Sequence, residues 1–376
     1  MLAAQLGRLY YFKGELEIAS ERIETALVIA EALRFPEVLS QALNTMSAIA
    51  IFQERYEQAF ALVKHSLEIA LENDLSAAAL RAYNNLSENL QRRDRHEEAI
   101  DCLRTGLALA RRVGNRQWEF RLLEQMSYPL LLSGGWPEQL ELFAEIPTEA
   151  LSELALISVL TALPDVRLAR GEPLAVEQLL EAFERLERSA DIQERSCWAA
   201  ATARFLRDQG RYAEALASAT EAMSPIGTLG AASQSVKHGY LEALEAAAAL
   251  EDQATVEKLV AEIEAMKPGG QPPFLRAQAA RFRARLASSR ADRDSVEQGF
   301  KTAEQIFREY AIPFWLAVTQ LEHAEWLLER GRAEEAEPLL AESREMFDRL
   351  EATPWLERAA EAYPAGREAE VMAKRA

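Results

Sequence analysis

The feature that most restricts this chain is a recurring helix-turn-helix frame. In Gly14-Glu15-Leu16-Glu17-Ile18-Ala19 a turn residue is followed five positions later by a small anchor, Ala19, with Ile23 and Ala26 on the same helical face. The frame returns at Glu54–Ala59 with Val63, at Asp94–Ala99 with Leu103 and at Gly134–Gln139 with Phe143, so the anchors fall at 19, 59, 99 and 139. After a slip to Val176 it resumes at Ala215, Val256, Val296 and Ala336. About nine units of roughly 40 residues fill the chain, a period that marks a repeat architecture. Each unit of a solenoid packs only on its neighbours, so 376 residues need no single large core.

Each unit reads as two helices. Leu2, Leu6, Leu9 and Tyr10 make one stripe at helical spacing, Gly14 breaks it, and Leu16, Ala19, Ile23, Ala26, Leu27 and Ala30 make the next. Small anchors allow close helix approach. No run of period-two alternation rich in β-branched residues signals a strand. The fold class expected is all-α. The organisation expected is four regular units over 1–150, irregular middle repeats over 151–268, and C-terminal repeats with a capping helix over 269–376. The irregularity rests on Trp136-Pro137, Ile146-Pro147, Leu163-Pro164 and Glu172-Pro173, since proline removes a helix donor and disfavours helix in the residue before it. Lys267 to Pro273 reads as a loop between units.

The formal net charge of −18 is unevenly spread: residues 1–120 carry 14 Lys+Arg against 17 Asp+Glu, leaving −15 for the rest. Such a surface argues against nucleic acid, which needs clustered cations. Arg92, Arg93, Arg95, Arg111, Arg112 and Arg116 do cluster, but beside Asp94, Glu97 and Glu98, and read as pairing at a turn. Cys102 and Cys197 are far apart, which suits neither a disulfide framework nor a metal site, and Cys102 reads as a packed thiol. No apolar run approaches the roughly 18 residues of a membrane span, and the N-terminus lacks the parts of a signal peptide. A cytoplasmic location is expected.

Gly7-x-x-Tyr10 followed by Gly14 and Ala19 resembles the tetratricopeptide frame, and the longer period is similar to the repeat region of MalT-like regulators. Asn84-Asn85-Leu86 leading to Arg93-Asp94-Arg95, Leu107 through Arg116, and Pro313-Phe314-Trp315 with Pro354 through Arg358 resemble the C-terminal repeats of bacterial signalling ATPases fused to class III adenylate or guanylate cyclase domains. The resemblance implies a right-handed α-solenoid of tetratricopeptide-like hairpins and a partner-sensing role. It brings no chemistry: no Gly-x-x-x-x-Gly-Lys phosphate loop occurs, and Gly269-Gly270 is flanked by prolines that lack backbone donors. No catalytic residue, metal ligand or cofactor is expected. The histidines His65, His96, His238 and His323 stand apart in sequence, and His96, in a turn, is expected in solvent.

Binding is the expected function: a protein or peptide held along the concave groove. In tetratricopeptide arrays the first helix of each unit lines that side. By this analogy the exposed groove positions are Arg8 and Tyr11; Gln41, Asn44 and Ala48; Arg81, Asn84 and Glu88; Arg121, Glu124 and Tyr128; and, further on, Arg204 and Arg207. Asn44 and Asn84 are equivalent under the repeat, as are Arg81 and Arg121. Amides can pair with any peptide backbone and arginine offers a planar fork to a carboxylate, so an extended acidic segment would suit them. A small-ligand sensor, needing a closed aromatic-lined pocket, and the regulatory portion of a cyclase-ATPase are the alternatives. The first helix has no polar cap, so self-association through it is a further expectation.

Overall fold

The computed structural model describes residues 1–145, 157–172, 186–267, 269–289 and 293–362. Helix accounts for 84% of them, and they contain no strand. The helices are α1 (Leu2–Phe12), α2 (Leu16–Leu33), α3 (Pro36–Phe52), α4 (Tyr56–Glu72), α5 (Ser76–Arg92), α6 (His96–Val113), α7 (Arg116–Ser133), α8 (Trp136–Glu145), α9 (Ile157–Arg170), α10 (Ile192–Asp208), α11 (Tyr212–Met223), α12 (Ile226–Leu229), α13 (Gln234–Ala249), α14 (Gln253–Glu264), α15 (Pro273–Ser289), α16 (Arg293–Glu309), α17 (Pro313–Glu329), α18 (Ala333–Leu350) and α19 (Thr353–Glu361). Successive pairs stack as hairpins into an all-α solenoid.

The period has a backbone cause. Gly14, Arg34, Glu54, Asp74, Asp94, Gly114 and Gly134 all have φ between 54° and 78°. A left-handed residue therefore ends each of the first seven helices, at every twentieth position. At each such turn the next amide reaches back five residues, as from Phe35 to the Ala30 carbonyl and from Arg95 to the Leu90 carbonyl, both within 3.0 Å. This is the Schellman arrangement, which satisfies carbonyls that the helix end would leave orphaned. The anchors behave as the repeat requires: Ala19, Ala59, Ala99, Gln139, Ala215, Val256, Val296 and Ala336 are all buried. Val176 lies outside the described residues.

Of the prolines in the irregular region, Pro137 falls in the first turn of α8 and Pro164 lies within α9, while Pro147 and Pro173 fall outside the described residues. Pro129 inside α7 is a further departure that the sequence reading did not single out.

The solenoid coils tightly enough for one superhelical turn to rest on the next, with contacts between residues about 180 apart. The Phe274 amide donates to Asp94 Oδ2 at 2.7 Å, and Arg170 Nε donates to the Leu350 carbonyl at 3.1 Å, each across 180 positions. Arg92 Nη1 donates to the Leu229 carbonyl at 3.0 Å, and the Trp136 and Phe314 rings meet at 5.1 Å. The hairpin turns of α3/α4, α5/α6 and α7/α8 thus sit on the starts of α13, α15 and α17. Gly134 is required there twice over: its φ is +78°, and a Cβ would lie 2.8 Å from Pro313 Cγ.

This seam corrects the expectation for His96. The residue is only 1% exposed, because the turn that was expected to face solvent faces the next superhelical turn instead. The arginines around it do pair within the chain, though only Arg95 with a carboxylate expected for it, Glu98; Arg92 pairs with Glu88, Arg93 with Glu57, and Arg111 and Arg116 with Glu119. Asp94 departs from the pattern, pairing with Lys237 across the seam.

Candidate functional site

The tight coil crowds the first helices of the hairpins around the axis, and this decides which expected groove residues are reachable. Asn44 and Asn84 are 3% exposed, Glu124 4% and Tyr128 1%, so these four, expected on the open groove, are buried. Asn85 Nδ2 donates to Asn44 Oδ1 at 2.5 Å, Asn84 Nδ2 donates to Asn85 Oδ1 at 3.1 Å, and Arg121 Nε donates to Asn84 Oδ1 at 3.2 Å. The two equivalent amides therefore brace α3, α5 and α7 against one another. Tyr128 lies between two histidines far apart in sequence, its ring 5.9 Å from His96 and 5.4 Å from His238. Glu88 pairs with Arg92 at 3.1 Å. Tyr11 is half-buried against Phe52, and burial pushes its hydroxyl up to about 12.

Arg8, Gln41 and Arg81 do come together. With Gln5, Glu37 and Thr45 they border a cavity of about 270 Å³ where α1, α3 and α5 converge. Arg8 is exposed, Gln41 and Arg81 are half-buried, and Gln41 Nε2 donates to Glu37 Oε1 at 3.2 Å. Neither arginine has a carboxylate within ion-pairing distance among the described residues. Burial, and then the nearby charge of Arg8, hold the Arg81 guanidinium below its ordinary range. An anion placed between them would relieve that repulsion.

Further along the axis the arginines are arranged differently. Asp165 of α9, Arg204 and Arg207 of α10, Glu242 and Glu245 of α13, Arg281 and Arg285 of α15, Glu322 and Glu325 of α17, and Arg358 of α19 alternate in sign from one inner helix to the next. Arg204 meets Asp165 at 3.0 Å, Arg207 meets Glu242 at 2.6 Å, and Arg281, 1% exposed, bridges Glu245 at 2.7 Å and Glu322 at 2.6 Å. Arg358 meets Glu325 at 2.7 Å. Burial pushes the Glu245 carboxyl up, but Arg281 and Arg285 overcome it and hold the group well below the usual carboxylate range. Several of these residues, with Trp136, Phe314, Trp315 and Trp355, line a second cavity of about 140 Å³. Sequence reading named only Arg204 and Arg207 here. The spacing from Arg207 to Glu242 to Arg281 to Glu322 stays close to the repeat length, and sign alternation at that spacing is the signal that would have found the rest.

The thiol of Cys102 is packed as expected: Sγ lies 3.4 Å from the Tyr83 carbonyl and burial pushes it up to about 12. Among the described residues no group of three or more His, Cys, Asp or Glu is placed to hold a metal ion, and no helix is long and apolar enough to cross a membrane.

Residues 38–112 match the tetratricopeptide repeat family. They span α3 to α6, where the twenty-residue turn spacing is unbroken. No curated protein sequence matches the chain. Among solved structures, a monomeric IFIT1 mutant with Gppp-AAAA is similar at 13% identity and a TM-score of 0.53, over 95% of this chain and 80% of that one. The likeness is one of fold. The Rap conjugation gene regulator of the plasmid pLS20, in complex with a peptide, aligns at 14% identity and a TM-score of 0.36 over 80% of this chain and 73% of its own. The apo quorum sensor NprR from B. thuringiensis aligns at 12% and 0.37 over 92% and 86%. The comparisons carry the tetratricopeptide part of the sequence resemblance and not its cyclase-ATPase or MalT-like parts.

Proposed function

We propose that the protein is a non-catalytic scaffold that holds an acidic peptide segment of a partner against the inner face of its first three hairpins. The observation that carries this reading is the contrast between two sets of inner arginines. Arg204, Arg207, Arg281 and Arg358 each meet a carboxylate of the chain itself, whereas Arg8 and Arg81 border one cavity and neither is ion-paired among the described residues, the cavity's Glu37 accepting instead from Gln41. An exposed guanidinium, Arg8, and a half-buried one, Arg81, beside an amide, Gln41, offer a carboxylate two planar forks and a neighbouring backbone a donor and an acceptor. Arg121, whose Nε is held on Asn84, extends the basic edge towards α7.

The small-ligand alternative rests on the axial cavity, which has the aromatic lining such a sensor needs. Its charges are already satisfied by one another, which favours the first reading. A membrane-bound array of decapeptides of graded charge, each with a free and an amidated C-terminus, tests the proposal. Retention should rise with Asp and Glu content, and Arg8→Ala/Arg81→Ala should abolish that trend. Retention that follows hydrophobicity and ignores charge would reject it.

A further inference from the structure

Charge is gathered around the axial cavity more densely than the fold requires. Five arginines and four carboxylates line its 140 Å³, together with His238 and the rings of Trp136, Phe314, Trp315 and Trp355. A buried ion pair can often be replaced by apolar residues without loss of stability, so packing alone does not call for nine charges in one place. Charges that converge beside aromatic walls are instead the make-up of a ligand site, where a few polar groups orient what the apolar walls enclose. The volume is close to the roughly 150 Å³ of an engineered cavity that holds benzene, which suits a guest of about six to nine non-hydrogen atoms.

The charges balance. Glu325, outside the lining, holds Arg358 at 2.7 Å and brings the carboxylates level with the arginines. A guest with a net charge would leave one charge unpaired in a space walled off from bulk water, whereas a guest that carries both signs continues the alternation. One pair in the ladder is loose enough to admit it. Arg281 takes the short contacts with both Glu245 and Glu322, at 2.7 and 2.6 Å, and leaves Arg285 at 3.3 Å from Glu245 Oε2 and 3.6 Å from Glu322 Oε1. The Arg285 side chain is 33% exposed against 1% for Arg281. Its planar fork can turn to a guest carboxylate, and Glu245 Oε2, released from it, can accept from a guest ammonium. His238 adds a further polar group: Nδ1 lies 3.3 Å from Asp165 Oδ2, and the buried Nε2 has no hydrogen-bond partner among the described residues. Arg281 and Arg358 already cover the rings of Trp315 and Trp355, at 5.3 and 5.5 Å from their centroids. Trp136 and Phe314, with ring centroids 5.1 Å apart, carry no such cation among the described residues and form the apolar wall.

We propose that the axial cavity binds a free α-amino acid with an apolar side chain, its carboxylate on Arg285, its ammonium on Glu245 and its side chain against Trp136 and Phe314. The lining comes from α7 to α19 and includes no residue of the first three hairpins, so this site does not rest on the peptide reading.

Titration of the common free amino acids into the full 376-residue chain, read by tryptophan fluorescence, tests the site, since Trp136, Trp315 and Trp355 are three of the six tryptophans. Saturable binding of at least one apolar amino acid below about 1 mM is expected, with glycine at least tenfold weaker. The N-acetyl derivative of that amino acid, which lacks the ammonium, and its amide, which lacks the carboxylate, should each bind at least tenfold more weakly. Arg285→Gln should weaken the free amino acid by a similar factor, while Arg8→Ala/Arg81→Ala should bind it as the wild type does. Because Arg285 is a third exposed and loosely paired, circular dichroism of Arg285→Gln should match the wild type. No saturable response to any apolar amino acid up to about 10 mM, blocked derivatives that bind as tightly as the free form, or unchanged affinity in a folded Arg285→Gln overturns the proposal.

Discussion

The ammonium of Lys237 and the carboxylate of Asp94, 143 positions apart in the chain, form an ion pair with both side chains out of solvent. The pair sits where one superhelical turn rests on the next, and the Phe274 amide completes it at 2.7 Å from Asp94 Oδ2. Removing one partner leaves a buried charge without compensation, which costs about 3–5 kcal/mol, whereas replacing both by apolar groups can be nearly neutral. Lys237→Met should lower the unfolding free energy read from urea titration by that amount, and Asp94→Leu/Lys237→Met should recover much of it. Hydrogen exchange should show protection lost together at Gln91–Arg95 and at the starts of α13 and α15. Loss confined to one of these segments would contradict the seam.

The same seam should be acid-sensitive. Burial raises the Asp94 carboxyl, but Lys237 and His96 outweigh it and hold the group at about 2. Burial pushes the His96 imidazole below its ordinary 6.5, with Asp94, 3.6 Å away, opposing in part. Both groups bind protons more weakly in the fold than in the unfolded chain. Their contribution is therefore complete above pH 6.5 and is lost as pH falls, first through His96 and then through Asp94 between 3.8 and about 2. The Asp94 part is on the order of 2 kcal/mol. The urea midpoint should decline from pH 7 to pH 5, and His96→Gln should flatten that decline. A wild-type midpoint that climbs over this interval would contradict the assignment.

Gly14 and Gly134 occupy equivalent left-handed turns, at φ +77° and +78°, but only Gly134 lies on the seam. Gly14→Ala meets nothing within 4 Å and should cost ~1 kcal/mol of backbone strain. Gly134→Ala adds a Cβ 2.8 Å from Pro313 and should cost ~2–4 kcal/mol, since overpacking adds its own penalty. Equal thermal midpoints for the two variants would show that the turns do not touch in solution.

How much of this was legible in the sequence depended on distance along the chain. The hairpins were legible because every turn is local: a turn residue at 14, 54, 94 and 134 followed five positions later by a buried anchor at 19, 59, 99 and 139 is written into neighbouring residues. The seam was not, because no spacing shorter than a full superhelical turn encodes it. His96 was misjudged for that reason, as a turn expected in solvent that lies against α13. Asn44 and Asn84 were correctly equated but wrongly exposed, since the width of the axial space follows from how tightly the hairpins coil. Arg8, Gln41 and Arg81, expected together on the groove, border one cavity where α1, α3 and α5 converge.

Ala99 illustrates the local part. It is fully buried where α5, α6 and α7 pack in succession, and Ala99→Leu should cost about 1–3 kcal/mol. Hydrogen exchange should report loss of protection in the adjacent hairpins before α15 to α18. Simultaneous loss along the whole chain would contradict a stack of separable units.

The central claim is that Arg8 and Arg81 receive a carboxylate. Isothermal titration of a Glu-rich decapeptide with a free C-terminus into wild-type protein and into Arg8→Ala/Arg81→Ala tests it directly. Saturable 1:1 binding is expected for the wild type, weakening as salt rises, with a loss of about 1–3 kcal/mol for each arginine removed and no change in the thermal midpoint. Equal affinity of wild type and double variant for that peptide would contradict the account.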